Sequence, residues 1–154
     1  MTEWISPLQK SDYLSIKKLL KNGADVNDQN EHDESVLALA IKSKCDQEVI
    51  DLLIENGADM YDFDEEGVSI FDYAITYNNI SLFNRFIEEG IDVNKTKRRS
   101  GFTPLMAAVC YTRFEMAKTL LSKGADKTKR DTKGFNAGDF ARKMRKDSMM
   151  ELLK

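Results

Sequence analysis

The chain has 154 residues, of which 42% are hydrophobic and 32% charged, with a formal net charge of −3. These values are ordinary for a folded globular protein whose length allows a substantial core. No apolar run approaches the roughly 20 residues that cross a bilayer, and the N-terminus lacks the apolar segment of a signal peptide. We therefore expect a cytoplasmic protein without membrane contact.

A tetrapeptide close to Gly-Ala-Asp-Val recurs along the chain. Its glycines are spaced 34, 33 and 34 residues apart. A period of this size is typical of stacked-repeat architectures, in which each unit buries its apolar face against its neighbours. The four copies are Gly23-Ala24-Asp25-Val26, Gly57-Ala58-Asp59-Met60, Gly90-Ile91-Asp92-Val93 and Gly124-Ala125-Asp126-Lys127.

Within each period the pattern predicts two helices. A short polar residue at a fixed distance from the recurring glycine predicts the N-cap of a first helix, because its oxygen can accept a backbone N–H of the first turn. A second, apolar-striped helix follows and ends at the recurring glycine, which predicts a C-cap. The expected N-caps are Ser35, Ser69, Thr103 and Asn136, and Gly67, Gly101 and Gly134 stand at tight turns two residues ahead of the last three.

This arrangement closely resembles the ankyrin repeat, with near-consensus pieces at Gly101-Phe102-Thr103-Pro104-Leu105 and Gly23-Ala24-Asp25-Val26-Asn27. The resemblance covers essentially the whole chain. It implies an all-α solenoid of stacked helix-turn-helix units with β-hairpin-like loops, forming a single domain over residues 1–154. We count five repeats, the first and last acting as caps, at about residues 1–30, 31–64, 65–97, 98–131 and 132–154.

The chain departs from the ankyrin pattern in two respects. Repeat two has Asp33 in place of the turn glycine, Val36 in place of the proline and one extra residue near 43–46. The histidine that follows Pro-Leu in the family is replaced in every repeat, which predicts that its usual hydrogen bonding between repeats is missing. The replacements are Ala38, Asp72, Met106 and Asp139.

Motifs for chemistry are nearly absent. There is no phosphate-binding loop, dinucleotide fingerprint or Cys-x-x-Cys motif. The single histidine, His32, is expected at a hairpin tip facing water, and Cys45 and Cys110 are expected to be free thiols. Residues 62–67 mimic the start of a calcium loop, but the twelfth position, which needs a bidentate Glu, holds Tyr73. We therefore expect no catalytic residues, no cofactor, no metal site and no enzyme activity.

The resemblance implies that hairpin tips and first helices line a concave face that binds a protein partner. Aromatic residues at positions expected to face water are candidate anchors there, although Phe102 and Phe135 could instead pack sideways between hairpins. The candidate partner-binding residues are Glu65, Glu66, Val68, Tyr77, Arg99, Phe102, Cys110, Tyr111, Lys133 and Phe135. Cys110, next to Tyr111, is expected to react readily with thiol reagents when no partner is bound.

The hairpins are charged unequally. Residues 25–34 and 59–66 each sum to −5, whereas residues 92–101 sum to +3 and residues 126–134 to +2. Such a division either orients a partner or is merely a solvated edge.

The favoured function is a protein-protein interaction module, monomeric when free, serving as adaptor or as inhibitor or immunity-type protein. The alternative is polyanion or nucleic-acid binding, which the sequence pI of about 5.3 disfavours. The residues that would carry that alternative are Lys95, Lys97, Arg98, Arg99, Lys127, Lys129 and Arg130.

Overall fold

The structure, a computed structural model, describes residues 1–154 and consists of ten α-helices without a β-strand, which confirms the all-α class. The helices form five successive pairs. They are α1 (Thr2–Gln9), α2 (Tyr13–Lys21), α3 (Val36–Lys42), α4 (Gln47–Glu55), α5 (Ile70–Thr76), α6 (Ile80–Glu88), α7 (Pro104–Cys110), α8 (Phe114–Ser122), α9 (Ala137–Lys143) and α10 (Asp147–Leu152). The longest helices have nine residues, and none is long and apolar enough to cross a membrane.

The chain divides into two compact units, an N-terminal unit of residues 1–65 and a C-terminal unit of residues 66–154. The N-terminal unit contains α1 to α4, in which α1 packs against α3 and α2 against α4. The C-terminal unit contains α5 to α10, in which α7 packs against both α5 and α9. In each unit, first helices therefore lie beside first helices, as a repeat architecture requires.

All four predicted N-caps are confirmed. In each case the side-chain oxygen accepts the backbone N–H of the residue three positions later, which satisfies one of the unpaired donors of the first turn. In addition, the backbone N–H groups of Ser69 and Asn136 donate to the side chains of Asp72 and Asp139, which completes a capping box at the start of each helix. The four pairs are Ser35 with Ala38, Ser69 with Asp72, Thr103 with Met106, and Asn136 with Asp139.

The turn between the two helices of each repeat always contains one non-glycine residue with φ between 50° and 59°. The residue after it reaches back to the first helix of the preceding repeat in at least three cases. Cys45 Sγ donates to the Leu8 carbonyl at 3.0 Å, and Arg113 donates to the Ile75 and Thr76 carbonyls at 3.0 and 2.6 Å. Lys146 Nζ donates to the Val109 and Cys110 carbonyls at 3.0 and 2.9 Å.

These contacts supply donors to carbonyls that have no partner inside their own helix. A cation at a helix C-terminus also interacts favourably with the helix dipole. The extra residue of repeat two lies in this turn, where Cys45 separates Lys44, with φ of 55°, from the N-cap Asp46.

The loops after the second helices are joined by an asparagine clamp in each unit. Asn27 donates to the Gly57 carbonyl and accepts from the Asp59 N–H, both at 2.9 Å. Asn94 makes the same two bonds two repeats later, to Gly124 at 3.0 Å and Asp126 at 2.7 Å. Where the fifth position of the recurring motif holds asparagine, it thus links one repeat to the next.

The core is formed between the helix pairs. Leu53 on α4 and Leu120 on α8 are fully buried, as expected from their positions in second helices. In the C-terminal unit, the Phe71 ring stacks on Phe83 at 5.4 Å and meets Phe86 edge-on at 5.3 Å. Aromatic pairs of this geometry stabilise a core beyond the area they bury.

Candidate functional site

Large apolar side chains occupy two sets of equivalent positions in the C-terminal unit. The hairpin column consists of the residue that directly follows each turn glycine, namely Val68, Phe102 and Phe135. The cap column consists of the C-cap residue of each first helix, namely Tyr77, Tyr111 and Met144. Because α7 packs against α5 and α9, members of each column lie in neighbouring repeats. We call the two columns together the aromatic surface.

Phe140 on α9 connects the two columns. Its ring centroid lies 5.4 Å from that of Phe102 and 5.8 Å from that of Phe135. Phe140 and Met144 are four residues apart, and such residues share one side of a helix. Lys143 Nζ lies 5.6 Å from the Phe135 ring centroid, next in sequence to Met144. The hairpin column and the cap column therefore border the same side of α9.

The aromatic candidates differ in exposure. Tyr111 is 47% exposed and Phe135 37%, whereas Phe102 is half-buried. Tyr77 is also half-buried, because its ring stacks on buried Tyr73 at 6.0 Å. Phe102 and Phe135 both contact Phe140 on α9, so each ring packs in part against a helix. Tyr111 is thus the most exposed of the four predicted aromatic anchors.

The predicted charged residues and Val68 lie at or beside the hairpin turns. Glu66, Arg99 and Lys133 are exposed at hairpin turns, and Val68 is half-buried. Backbone bonds join these turns, from Arg99 N–H to the Glu66 carbonyl at 3.1 Å and from Thr132 N–H to the Ser100 carbonyl at 2.9 Å. Within the C-terminal unit the turns therefore form a continuous edge beside the first helices.

The histidine's usual hydrogen bonding was predicted to be missing, and at Asp72 and Asp139 the structure has ion pairs between repeats in its place. Arg98 Nε of repeat four lies 3.4 Å from Asp72 Oδ2 of repeat three, and Arg130 Nη1 of repeat four lies 3.3 Å from Asp139 Oδ2 of repeat five. The aspartates replace the family's histidine, and arginines in the neighbouring turn provide the partners. The sequence signal was an Arg in the turn that precedes or follows each such Asp.

The Arg98 side chain also holds the hairpin column in place. Its guanidinium lies 5.0 Å from the Phe102 ring centroid, while Asp72, only 3% exposed, is its carboxylate partner. The contact with Asp72 has the geometry of an ion pair rather than of a hydrogen bond, and Asp72 Oδ1 has no hydrogen-bond partner. A buried ion pair of this kind positions groups more than it stabilises the fold.

Asp139 is the corresponding group of the last repeat. The backbone N–H of Asn136 is the largest cause that lowers the pKa of the Asp139 carboxyl, and Arg142 and Arg130 add to the effect. Asp139 therefore stays ionised and forms ion pairs with two of the arginines around α9.

Cys45 and Cys110 are free thiols, as expected. Cys110 is half-buried, and burial raises the pKa of its thiol although Lys146 and Arg98 act in the opposite direction. The thiolate is the reactive species. We therefore expect Cys110 to react with thiol reagents more slowly than a fully exposed thiol.

The N-terminal unit carries polar residues at the matching positions. Glu34 occupies the hairpin column position and pairs with Lys42 at 3.2 Å, and Ser43 occupies the cap column position. His32 is exposed, as predicted, and its Nδ1 lies 2.8 Å from the carboxylate of Glu65, which raises the pKa of His32. Glu65 is thus a partner of His32 in this unit.

No group of three or more His, Cys, Asp or Glu side chains is arranged to hold a metal ion. In the calcium-like segment, Asp62 Oδ2 accepts from Gln29 at 3.1 Å, and its Oδ1 accepts the Phe63 N–H at 2.9 Å. These bonds give the Asp62 carboxylate a structural role in the hairpin of the N-terminal unit.

Comparison with known protein families identifies the repeats as ankyrin repeats. A model described as ankyrin repeats in three copies matches residues 8–97, and a model of the single ankyrin repeat matches residues 100–132. Together they cover most of the chain.

Curated relatives include the nuclear factor NF-kappa-B p105 subunit of Gallus gallus, which is 35% identical over 112 residues, or 71% of this chain. The potassium channel AKT1 is 36% identical over 81 residues in Oryza sativa subsp. indica, and 37% over 68 residues in Arabidopsis thaliana. The AKT1 matches cover 53% and 44% of this chain. The matched regions span 11%, 9% and 8% of these relatives, so the likeness is confined to a small part of each.

Proposed function

Because the chain belongs to the ankyrin-repeat family, we propose that it is a non-catalytic module that binds a protein partner on the aromatic surface. Ankyrin repeats are protein-protein interaction modules, and the sequence offers no catalytic constellation. Binding on this surface either recruits the partner or blocks it, so the protein acts as an adaptor or as an inhibitor or immunity-type protein.

The observation that supports this proposal is exposed apolar area at consecutive repeats. Tyr111 is 47% exposed, Met144 43% and Phe135 37%, although all three lie on or beside first helices most of whose other apolar residues are buried. Exposed apolar side chains that recur in register mark interaction surfaces more often than scattered ones do. Tyrosine is among the residues that contribute most binding free energy at interfaces.

Nucleic-acid binding is less well supported, because most of its candidate cations already have partners inside the protein. Arg98 pairs with Asp72, and Arg130 with Asp139. Lys127 and Lys129 donate to the carbonyls of Lys154 and Asn94 at 2.5 and 2.9 Å. The Phe102 and Phe135 rings are covered in part by Phe140 and a cation, whereas bases stack on open aromatic faces.

An absence of catalysis is part of the same proposal. The one histidine, His32, lies in the N-terminal unit, paired with Glu65. The Cys110 thiol has a raised pKa and no histidine in its own unit. Nucleophilic catalysis needs an activated nucleophile beside a base, and neither cysteine has one.

The experiment is affinity purification from the native cell with the wild-type protein and two variants. Tyr111→Ala removes a side chain of the aromatic surface. Leu14→Ala removes a 76% exposed apolar side chain on α2, outside that surface. A true partner is retained by wild type and Leu14→Ala but lost with Tyr111→Ala, whose affinity should fall by about 2 kcal/mol. Equal retention by both variants would contradict the proposed surface.

Cys110 provides a second readout. It lies next to Tyr111, so a docked partner should slow its alkylation further, while the free protein reacts at the slow rate of a half-buried thiol. Equal alkylation rates with and without the purified partner would show that the partner docks elsewhere. Denatured protein gives the unprotected reference rate.

A further inference from the structure

The basic charge of the C-terminal unit is concentrated in its last two repeats. Residues 98–154 carry fourteen basic and six acidic side chains, a formal charge of +8. Asp139 is paired locally with Arg130 and Arg142, and Asp131 Oδ1 accepts the backbone N–H groups of Lys133 and Phe135 without pairing with a cation. The surface of these repeats therefore has more cations than its own acids can pair.

Four exposed cations at the aromatic surface make no ion pair within the protein. They are Arg99, Lys133, Lys143 and Arg145. Arg99 lies three residues before Phe102 and Lys133 two residues before Phe135, while Lys143 and Arg145 flank Met144 in sequence. Apolar side chains with unpaired cations on both sides match a ligand that carries carboxylates next to apolar groups.

We propose that the partner docks through an extended acidic segment whose carboxylates contact Arg99 and Lys133 and whose apolar side chains lie against Tyr111, Met144 and Phe135. This inference rests on the proposed function and specifies the partner's chemistry. Specificity comes from charge, because a basic segment would face four unpaired cations and be repelled.

The repeat spacing determines the spacing within that segment. Packed helices such as α7 and α9 lie roughly 8–10 Å apart, and so do equivalent positions of their repeats. A polyproline II segment rises about 3.1 Å per residue with three residues per turn, so positions i and i+3 face the same side about 9 Å apart. Arg99 stands two residues and Lys133 one residue before its turn glycine, so the two cations lie on neighbouring turns with an offset of one residue. Acidic residues three positions apart therefore reach these two turns together, with apolar residues between them, and the long Arg and Lys side chains span the offset.

The experiment selects displayed random peptides of about twelve residues, enough to cross roughly three repeats when extended, on the complete protein near physiological salt. Selected sequences are synthesised and their affinity measured by fluorescence polarisation. We expect enrichment of Asp or Glu at i and i+3 with Leu, Phe, Tyr or Trp between them. We also expect affinity to fall as salt rises.

Two charge reversals locate the site. Arg99→Glu with Lys133→Glu should weaken binding of the selected acidic peptide by at least about tenfold, because both carboxylates then face like charge. Lys118→Glu with Lys123→Glu makes the same change of charge on and directly after α8, away from the aromatic surface, and should change affinity by no more than about twofold. All four side chains are exposed, so the variants should fold, which circular dichroism checks.

The other outcomes distinguish this inference from the proposed function. Selected basic or neutral peptides that Tyr111→Ala releases would overturn the acidic segment and leave the protein-binding function standing. Tighter binding of a single-stranded RNA homopolymer, lost on the Arg99 and Lys133 reversal, would overturn both in favour of a polyanion. Selection of no peptide, or of peptides that Tyr111→Ala does not release, would also overturn both.

Discussion

The two units share one repeat framework, but their net charges have opposite signs. The N-terminal unit carries six basic and fifteen acidic side chains, a formal charge of −9, whereas the C-terminal unit carries seventeen and eleven, a charge of +6. At matching positions the first has Glu34 and Ser43, and the second has Phe102 and Tyr111. Caps, turns and clamps need particular residues because they satisfy backbone groups. Positions that face solvent carry no such requirement and can differ between units.

The largest expected effect tests whether the shared framework is equally important in both units. Leu53→Ala and Leu120→Ala truncate fully buried side chains four residues before a recurring glycine, one in each unit. Each should lower the free energy of unfolding by roughly 2–5 kcal/mol, from lost burial and the cavity left behind. Urea denaturation measures it. Costs below about 1 kcal/mol at both sites would mean that neither residue supports the stack.

A second prediction concerns the hairpin turn, where the units differ. Asp33 takes a φ of 58° in the N-terminal unit, and Gly67 a φ of 80° at the matching position of the C-terminal unit. A Cβ on Gly67 would lie 1.9 Å from the Lys97 carbonyl oxygen, whereas one on Gly134 would meet nothing within 4 Å.

Gly67→Ala should therefore cost more than about 2 kcal/mol, since a backbone shift adds to the strain of a left-handed conformation. Gly134→Ala, with the strain alone, should cost about 1 kcal/mol. Thermal unfolding compares the two variants, and equal costs would contradict the close approach at Lys97.

The asparagine clamps give a smaller effect that should be the same in both units. Asn27→Ala and Asn94→Ala each remove two exposed hydrogen bonds between successive loops. Each should cost about 1 kcal/mol. Asn84→Ala, on the exposed side of α6, is the control and should change stability by less than about 0.5 kcal/mol. A cost at only one clamp would show that the framework is not equivalent in the two units.

The smallest effect is a pH dependence confined to the N-terminal unit, which holds the only histidine. Glu65 raises the pKa of His32 above its ordinary value near 6.5. The stabilisation from this pair is therefore complete below that value and is lost as pH rises through the higher pKa of the folded protein. Both side chains are largely exposed, so the change in stability is small.

NMR titration of the His32 ring measures the shift directly. Glu65→Gln should return the pKa toward its ordinary value, while Glu31→Gln, which removes a weaker contributor, should shift it less. An unchanged pKa in Glu65→Gln would mean that the pair does not form in solution.

Much of the fold could be predicted from the sequence because repeats confine the relevant signals to short windows. The N-caps at Ser69 and Thr103 follow from local backbone chemistry, since an oxygen three residues from an unpaired N–H can bond it in almost any context. The left-handed residues Lys44 and Thr112 were not predicted, because neither residue type favours φ above zero. Their conformation follows from joining two packed helices by a short turn.

The candidate site was predictable by position but not by contact. The repeat register placed Tyr111 and Phe135 beside first helices, and both side chains are exposed in the structure. It did not predict that Tyr77 would be half-buried on Tyr73, because burial depends on neighbours that the register does not specify. Met144 occupies the position in the last repeat that matches Tyr111, but methionine is a weaker interface signal than tyrosine, so the sequence did not indicate it as an anchor.

The sequence by itself determined the helix pairs, their caps and the unequal charge of the two halves, because these depend on residue identity and on contacts only a few residues apart. Only the tertiary structure decided which cations remain available for contact with a partner. Arg98 and Arg130 are taken up by Asp72 and Asp139, whereas Arg99 and Lys133 are left unpaired. The physical reason is that an ion pair forms only where two charged groups come close to each other across the repeat interface. Arg98 comes close to such a carboxylate, whereas Arg99, the next residue in the same turn, does not.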